Sequence, residues 1–294
     1  MFSQLLQDFI HTEQLPATYA EDAQRYLLPL AESLLAHVAS NTGKPLVIGI
    51  NGAQGTGKST LAALLSHVFT AQQLSVANLS IDDFYLSHAD RAALGESCHP
   101  LLASRGVPGT HDTTLLLATI AALQNASSGE AVTLPRFDKS CDDCVDLDEC
   151  PTVVGPVDVI ILEGWFVGVT AQADSELANP INSFEESEDS DGRWRRYVNE
   201  QLAGDYQTVF AAMEYLILLQ APSFEQVFEW RSLQEAKLRQ RSAKNAPGLM
   251  DDAQIARFIQ HFERLTRWCL ATLPGRADVV LEMDAAHRIV RCID

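Results

Sequence analysis

No run of about 18 uncharged apolar residues occurs in this 294-residue chain, so no membrane-spanning helix is expected. Basic residues are scarce: 21 Lys and Arg face 39 Asp and Glu, a formal charge of −18. That balance argues against a general affinity for nucleic acid or for an anionic membrane surface. Anionic ligands must then be held by a few local donors, and each cation near a binding loop becomes informative. The N-terminus, Met1 to Ile10, lacks the basic start and uninterrupted apolar core of a signal peptide, and a cytoplasmic protein is expected. Cys141-Asp142-Asp143-Cys144, with Cys150 beyond it, has no second Cys or His pair at zinc-site spacing. An irregular loop with free thiols is the simpler expectation. No internal repeat is visible. The guanine signature N-K-x-D and the ABC-type signature L-S-G-G-Q are both missing, which weighs against a GTP switch and a transporter ATPase.

What is present begins with hydrophobic content of 47%, ample for a substantial core. The chain is organised around Gly52-Ala53-Gln54-Gly55-Thr56-Gly57-Lys58-Ser59-Thr60, which follows the apolar run Leu46 to Ile50 and precedes the helix-like Leu61 to Leu65. Strand, glycine-rich turn and helix start, in that order, make a G-x-x-x-x-G-K-[ST] match a phosphate-binding loop. Gly52, Gln54, Gly55, Thr56, Gly57, Lys58, Ser59 and Thr60 are the expected nucleotide contacts. Glycines let successive N–H groups face one concavity, and the helix adds its positive end. Lys58 would reach the outer phosphates, and the Ser59 hydroxyl would ligate magnesium.

Taken in order, residues 1–44 read as an N-terminal helical extension, with apolar positions recurring every three and four residues. After the loop, a helix to about Gln72 and the strand Leu74 to Ile81 complete a βαβ unit, so a parallel sheet is expected, with ligands at the carboxyl ends of its strands. Asp82 and Asp83 follow that strand, beside the phosphates. The turn-rich stretch Ser87 to Asp112 carries Arg105, His111 and Asp112; binding is expected for Arg105, while Asp112 reads equally as a helix N-cap. Val157 to Leu162 is apolar enough for a central parallel strand and ends in Glu163, an acid where such folds hold magnesium. Segment 171–192 is acidic and reads as a solvated excursion. Residues 222–246 read as a lid helix whose cations include Arg231, Lys237, Arg239 and Arg241; Arg231 is the first choice for the phosphates. The alternative is a solvated face with Glu235 and Arg239 paired. The whole, 1–294, is expected to be one α/β domain of the P-loop NTPase fold, a central, mostly parallel sheet flanked by helices, with the lid and the N-terminal extension attached.

Read together, Ser80-Ile81-Asp82-Asp83-Phe84-Tyr85, Arg105 to Asp112, Pro135 to Ser140, Leu162-Glu163-Gly164-Trp165 and Val227 to Arg231 resemble the D-glycerate 3-kinase family and its bacterial kinase-like relatives. More distantly the pattern is similar to the phosphoribulokinase, uridine kinase and pantothenate kinase superfamily. The resemblance implies that Asp82 is the base for a substrate hydroxyl, and that Asp83 and Tyr85 of the same motif lie at the substrate. It also makes Arg105, His111, Arg136 and Lys139 candidates to grip an anionic substrate, since a guanidinium fork matches a carboxylate. ATP and magnesium are the implied cofactors and a small metabolite, plausibly D-glycerate, the acceptor. Another small acid or a nucleoside is the alternative acceptor, and a nucleotide-dependent switch or assembly factor the alternative class. One departure stands out: Cys141-Asp142-Asp143-Cys144 occupies a place where the family carries glycine-rich sequence.

Overall fold

The computed structural model describes residues 2–41, 43–241 and 252–294, with side chains described except at 233–241, 252 and 253. Three helices come first, α1 (Ser3–Thr12), α2 (Thr18–Asp22) and α3 (Leu28–Ser40), the last two joined by a π-helical turn at Ala23–Leu27. The strand β1 (Leu46–Gly52), the phosphate loop, α4 (Lys58–Ala71) and β2 (Val76–Ser80) form the expected βαβ unit. Helices α5 (His88–Ser97) and α6 (Thr113–Asn125) precede four short strands, β3 (Ala131–Thr133), β4 (Phe137–Asp138), β5 (Asp143–Cys144) and β6 (Thr152–Val154), and then β7 (Val159–Gly164). Next come α7 (Ser183–Glu188), α8 (Arg193–Ala203), α9 (Asp205–Ala211) and β8 (Tyr215–Gln220). The chain closes with α10 (Phe224–Arg241), α11 (Asp252–Thr272), β9 (Val279–Met283) and β10 (Ile289–Ile293).

The central sheet runs β10-β9-β8-β1-β7-β2, parallel throughout except for the antiparallel edge strand β10. Side chains alternate across a strand, so each inner strand feeds two cores. Val47, Ile160, Leu162, Leu218 and Val280 enter one core, packed against α6, α8, α9 and α11. Ile48, Ile50, Ile161, Ile217 and Leu281 enter the other, which α4 and the N-terminal helices cover with Leu6, Phe9, Leu27 and Leu34. Burial on both faces explains why these strands read as unbroken apolar runs. Register does the positioning: Ser80 and Ile50 both pair with Glu163, which brings the ends of β2, β7 and β1 to one edge.

Three differences from the sequence reading have physical causes. The turn-rich stretch after Ser87 contains α5, begun by Ser87, whose hydroxyl accepts from Asp90 N. Segment 171–192 is not solvated throughout, because Glu185 and Asp189 are each 1% exposed. Glu185 pairs with Arg264 and Asp189 with Arg195, so acidity that looks solvated in sequence is neutralised by partners in α11 and α8. The cysteine loop carries the two-residue β4–β5 ladder, and its three cysteines are free thiols as expected. Residues 242–246 of the expected lid, and the side chains of Glu235, Lys237, Arg239 and Arg241, lie outside what is described.

Candidate active site

The phosphate loop leaves β1 at Gly52 and re-enters regular structure at Lys58. Gly55 and Gly57 hold φ of +86° and +87°, values that glycine adopts without strain. A Cβ on Gly52 would lie 2.4 Å from Thr56 Oγ1, which donates to the Ala53 carbonyl at 2.9 Å. The motif's own residues therefore fix the turn, with the N-terminal end of α4 behind it. Gln54 and Lys58 face a cavity of about 590 Å³.

Glu163 is buried at the end of β7. Ser59 Oγ donates to its Oε1 at 2.8 Å, while Oε2 lies 4.0 Å from Lys58 Nζ and has no hydrogen-bond partner among the described residues. A buried oxygen left so costs about 1–3 kcal/mol, more when charged. A hydroxyl beside such a carboxylate is suitable donor chemistry for a hard cation. No group of three or more His, Cys, Asp or Glu able to hold a metal occurs among the described residues, so phosphates and water would have to supply the remaining ligands.

Asp82 sits in the tight turn Ile81–Phe84 after β2, where Ser80 Oγ accepts from its backbone N–H. Lys139 Nζ donates to Oδ2 at 2.6 Å and Tyr85 Oη to Oδ1 at 2.8 Å. Burial pushes this carboxyl up, but Lys139, Lys58 and the Tyr85 hydroxyl together outweigh burial and hold it below the ordinary range. Asp82 is therefore an ionised acceptor beside Lys58 and the cavity. Burial raises Asp83 despite Arg136, whose Nη1 lies 3.3 Å from Oδ2. Neither Asp83 nor Arg136 lines the cavity; they pair behind it.

Of the remaining expected substrate residues, Tyr85, Arg105 and Lys139 do line the cavity, as does Arg231 of α10. His111 and Asp112 do not. Tyr85 stacks on His111 with ring centres 4.5 Å apart, and His111 Nδ1 is 2.7 Å from Tyr206 Oη. Burial pulls the His111 imidazole down to about 3, so it is a neutral support for Tyr85 and supplies no positive charge to an anion. Asp112 is the N-cap of α6, accepting from Leu115 N at 2.8 Å. Burial thus removes His111 from the anion-gripping set, and of its two readings Asp112 fits the helix N-cap.

Two groups went unforeseen. Asp142, in the unusual cysteine loop, pairs with Arg105, with Arg91 at 3.0 Å and with His88 at 3.1 Å. Its φ of +60° is a left-handed value at which Asp is enriched, and nothing in the sequence marks it beforehand. Arg91, 1% exposed, also donates to the carbonyls of Leu86, Ala103 and Asp142, and both guanidiniums lie over the Phe137 ring. The second group is on α11: Gln254, Arg257, Phe258 and His261 line the same cavity as Asp82 and Lys139. A Cβ on Gly106 would strike the Phe262 ring at 2.6 Å, so the Arg105 loop and α11 touch closely. Gln254, Arg257, Phe258 and His261 recur at spacings of three and four, a sequence signal that was available.

A glycine-bent phosphate loop and acids at two neighbouring strand ends, one of them the ionised Asp82 near Lys58, make the arrangement of a P-loop kinase. The chain is 34% identical over 247 residues to "Uncharacterized kinase mug58" of Schizosaccharomyces pombe, spanning 80% of this chain and 84% of that protein. It is 30% identical over 243 residues to "D-glycerate 3-kinase, chloroplastic" of Arabidopsis thaliana, covering 78% of this chain and 48% of that protein, about half its length. A solved structure of D-glycerate 3-kinase from Cryptococcus neoformans var. grubii superposes with a TM-score of 0.73 at 26% identity, over 91% of this chain and 98% of that one. The chain belongs to the family of P-loop kinases that includes the Schizosaccharomyces pombe relative, and it is similar to D-glycerate 3-kinases. Residues 16–90 also match the family described as methylmalonyl Co-A mutase-associated GTPase MeaB, a stretch centred on the phosphate loop and covering about a quarter of the chain. No helix among the described residues is long and apolar enough to cross a membrane.

Proposed function

We propose that the protein transfers the γ-phosphoryl group of ATP to a hydroxyl of a small hydroxy acid, with D-glycerate as the acceptor. The observation that carries this reading is the ionised Asp82 carboxylate, hydrogen-bonded to Lys139 and Tyr85 at the mouth of a cavity that Lys58, Arg105 and Arg257 also line. In a chain so short of cations, their gathering around one cavity supports an anionic acceptor, although each also has an internal carboxylate partner. Two relatives bear the name D-glycerate 3-kinase.

In this reading the acceptor's carboxylate meets Arg105 and Lys139. Its hydroxyl approaches Asp82, which takes the proton as the oxygen bonds to the γ-phosphorus. The bond from that phosphorus to the bridging oxygen breaks and ADP leaves, its charge met by Lys58 and Arg231. The loop N–H groups and the α4 end hold the polyphosphate throughout. Ser59 and Glu163 would hold magnesium, directly or through water, which supplies charge neutralisation at the phosphates. Little else is asked of the protein, since phosphoryl transfer rests on alignment and electrostatics.

The test is a panel: purified protein with ATP, magnesium and, separately, D-glycerate, other hydroxy acids, pantothenate, uridine and sugars. ADP formation stimulated by D-glycerate above the others is expected. Stimulation by pantothenate or uridine would reassign the acceptor. ADP formation that no small molecule stimulates, but a protein partner does, would sink the kinase reading in favour of a switch.

A further inference from the structure

Three segments of the acceptor side meet at one buried side chain. Arg91 of α5 donates from Nε to the Leu86 carbonyl at 3.0 Å, from Nη1 to the Ala103 carbonyl at 3.4 Å and from Nη2 to the Asp142 carbonyl at 2.7 Å. Leu86 follows Tyr85 of the Asp82 turn, Ala103 precedes Arg105 in the same loop, and Asp142 follows Lys139 in the same hairpin. Fixed by these bonds, the guanidinium also places Nη2 3.0 Å from Asp142 Oδ1. The same oxygen takes Nη1 of Arg105, which is partly exposed and lines the cavity. His88 Nδ1 stands 3.1 Å from Oδ2. Asp142 is thus shared between a buried guanidinium and a partly exposed one, and the Phe137 ring carries both, its centre 5.5 Å from Arg91 Cζ and 5.6 Å from Arg105 Cζ.

We propose that Arg91 is a positioning residue for acceptor binding: it keeps Asp142 paired when Arg105 leaves that carboxylate for the acceptor's. The inference rests on the kinase reading and deepens its acceptor site. With both arginines present, an entering carboxylate completes a row in which Arg91, Asp142, Arg105 and the acceptor alternate in charge. Without Arg91, two carboxylates would share one guanidinium, and Asp142, held beside Arg105 by the chain itself, has the advantage of proximity over a diffusing acid. A carboxylate stripped of its last close cation resists the exchange, since an unpaired charge is costly where water is scarce. His88 does not take this part, because its side chain is 65% exposed and carries charge only when protonated. Arg91 does not itself follow the acceptor, because three carbonyls and burial hold it in place. A brace for the fold alone explains those three bonds but not the fourth contact, made on the carboxylate oxygen that Arg105 also uses. The buried arginine therefore acts on the acceptor through Asp142 and Arg105, without touching it.

Steady-state kinetics of the full chain with ATP, magnesium and D-glycerate tests this as a double-mutant cycle. Arg91→Gln is expected to raise the acceptor KM about tenfold, with kcat and the KM for ATP within about twofold. Asp142→Asn removes the competing charge and is expected to lower the acceptor KM about two- to threefold; Arg91→Gln with Asp142→Asn should stay within about threefold of Asp142→Asn alone. An unchanged acceptor KM in Arg91→Gln overturns the inference. So does a rise that the double variant keeps in full, because neutralising Asp142 does not repair the loss of a mere brace. Should Arg91→Gln fail to fold, Arg91→Lys keeps a cation at Asp142 and should raise the acceptor KM by no more than about threefold, a rise that Asp142→Asn abolishes. A tenfold rise in Arg91→Lys, or one that persists beside Asp142→Asn, overturns it equally. Wild-type turnover that no acid stimulates overturns the kinase reading instead, so the two failures are told apart.

Discussion

On the phosphate side of Lys58 the chain leaves chemistry unsatisfied: Glu163 Oε2 is buried without a hydrogen bond, and the loop offers its N–H groups to no carboxylate. On the acceptor side it pairs charge with charge, Lys139 with Asp82, Arg136 with Asp83, Arg105 with Asp142 and Arg257 with Glu188. The first region is one nine-residue loop joined by a single carboxylate, Glu163, from the end of β7. The second is gathered from five stretches of chain and held by ion pairs, of which Lys139 with Asp82 and Arg105 with Asp142 are at the cavity and would be exchanged by the proposed anionic acceptor. That exchange is cheap, because Arg105, Asp142 and Lys139 are 31%, 33% and 57% exposed and pairs of that kind are worth about 0–1 kcal/mol. In the proposed function, the acceptor would be recognised by replacement of internal carboxylates and the phosphates by filling of prepared donors.

The largest effect that would break this contrast is at Asp82. Asp82→Asn keeps the shape and the Tyr85 contact but cannot take the proton, so kcat should fall by about 10²–10⁴. ATP affinity, measured by calorimetry, should hardly change. A comparable loss of ATP affinity would make Asp82 part of the phosphate side, and the two regions would no longer be separable.

Next is Arg105→Ala, which should raise the KM for the acceptor by about ten- to a hundredfold through loss of a charge-assisted contact, with the KM for ATP little altered. Asp142→Asn sharpens the reading. It frees Arg105 from its internal partner, and a smaller shift in acceptor KM is expected. Equal shifts in ATP and acceptor KM for Arg105→Ala would show that the two sides share their cations.

Acid should strain the acceptor side first. Burial lowers His111 and His261 to about 3 each, against about 6.5 in an unfolded chain. With the folded value below the unfolded one, the unfolded chain binds protons that the folded one refuses. Stability is full above pH 6.5 and falls below it by up to about 1.4 kcal/mol per pH unit per histidine. Asp82, lowered from the ordinary carboxylate range, contributes stability that is lost only as pH falls through its still lower folded value, beneath this window. Melting temperatures should decline between pH 7 and 4, and less steeply in His261→Gln if that variant folds. A flat profile would mean that the imidazoles are not held neutral.

How much of this was legible in the sequence follows the same division. The phosphate loop spans nine positions, so Gly52 to Thr60 could be read directly, and strand periodicity placed Asp82 and Glu163 at neighbouring strand ends. The acceptor side depends on contacts between Arg105 and Asp142, or between Arg257 and Glu188, 69 residues apart. No local pattern encodes such a pairing. His111 was misread for a related reason: its neutrality comes from burial under Tyr85 and Tyr206, which only the folded chain provides. The acidic segment was misread because Arg264, the partner of Glu185, is supplied from another helix.

The smallest effect tests the boundary between the two regions. Asp112 lies in a loop whose composition suggests binding, one residue from His111, yet its Oδ1 accepts from Leu115 N at the start of α6. If capping is its role, Asp112→Ala should cost about 1 kcal/mol of stability, while Asp112→Asn, which keeps the accepting oxygen, should cost only a fraction of that. The KM values for ATP and acceptor should stay the same in both, because the side chain is committed to the helix and does not line the cavity. A raised acceptor KM in Asp112→Asn, with stability intact, would return Asp112 to the substrate site. The α6 N-terminus would then belong to the acceptor region, whose local sequence would carry more of the site than the paired arginines suggest.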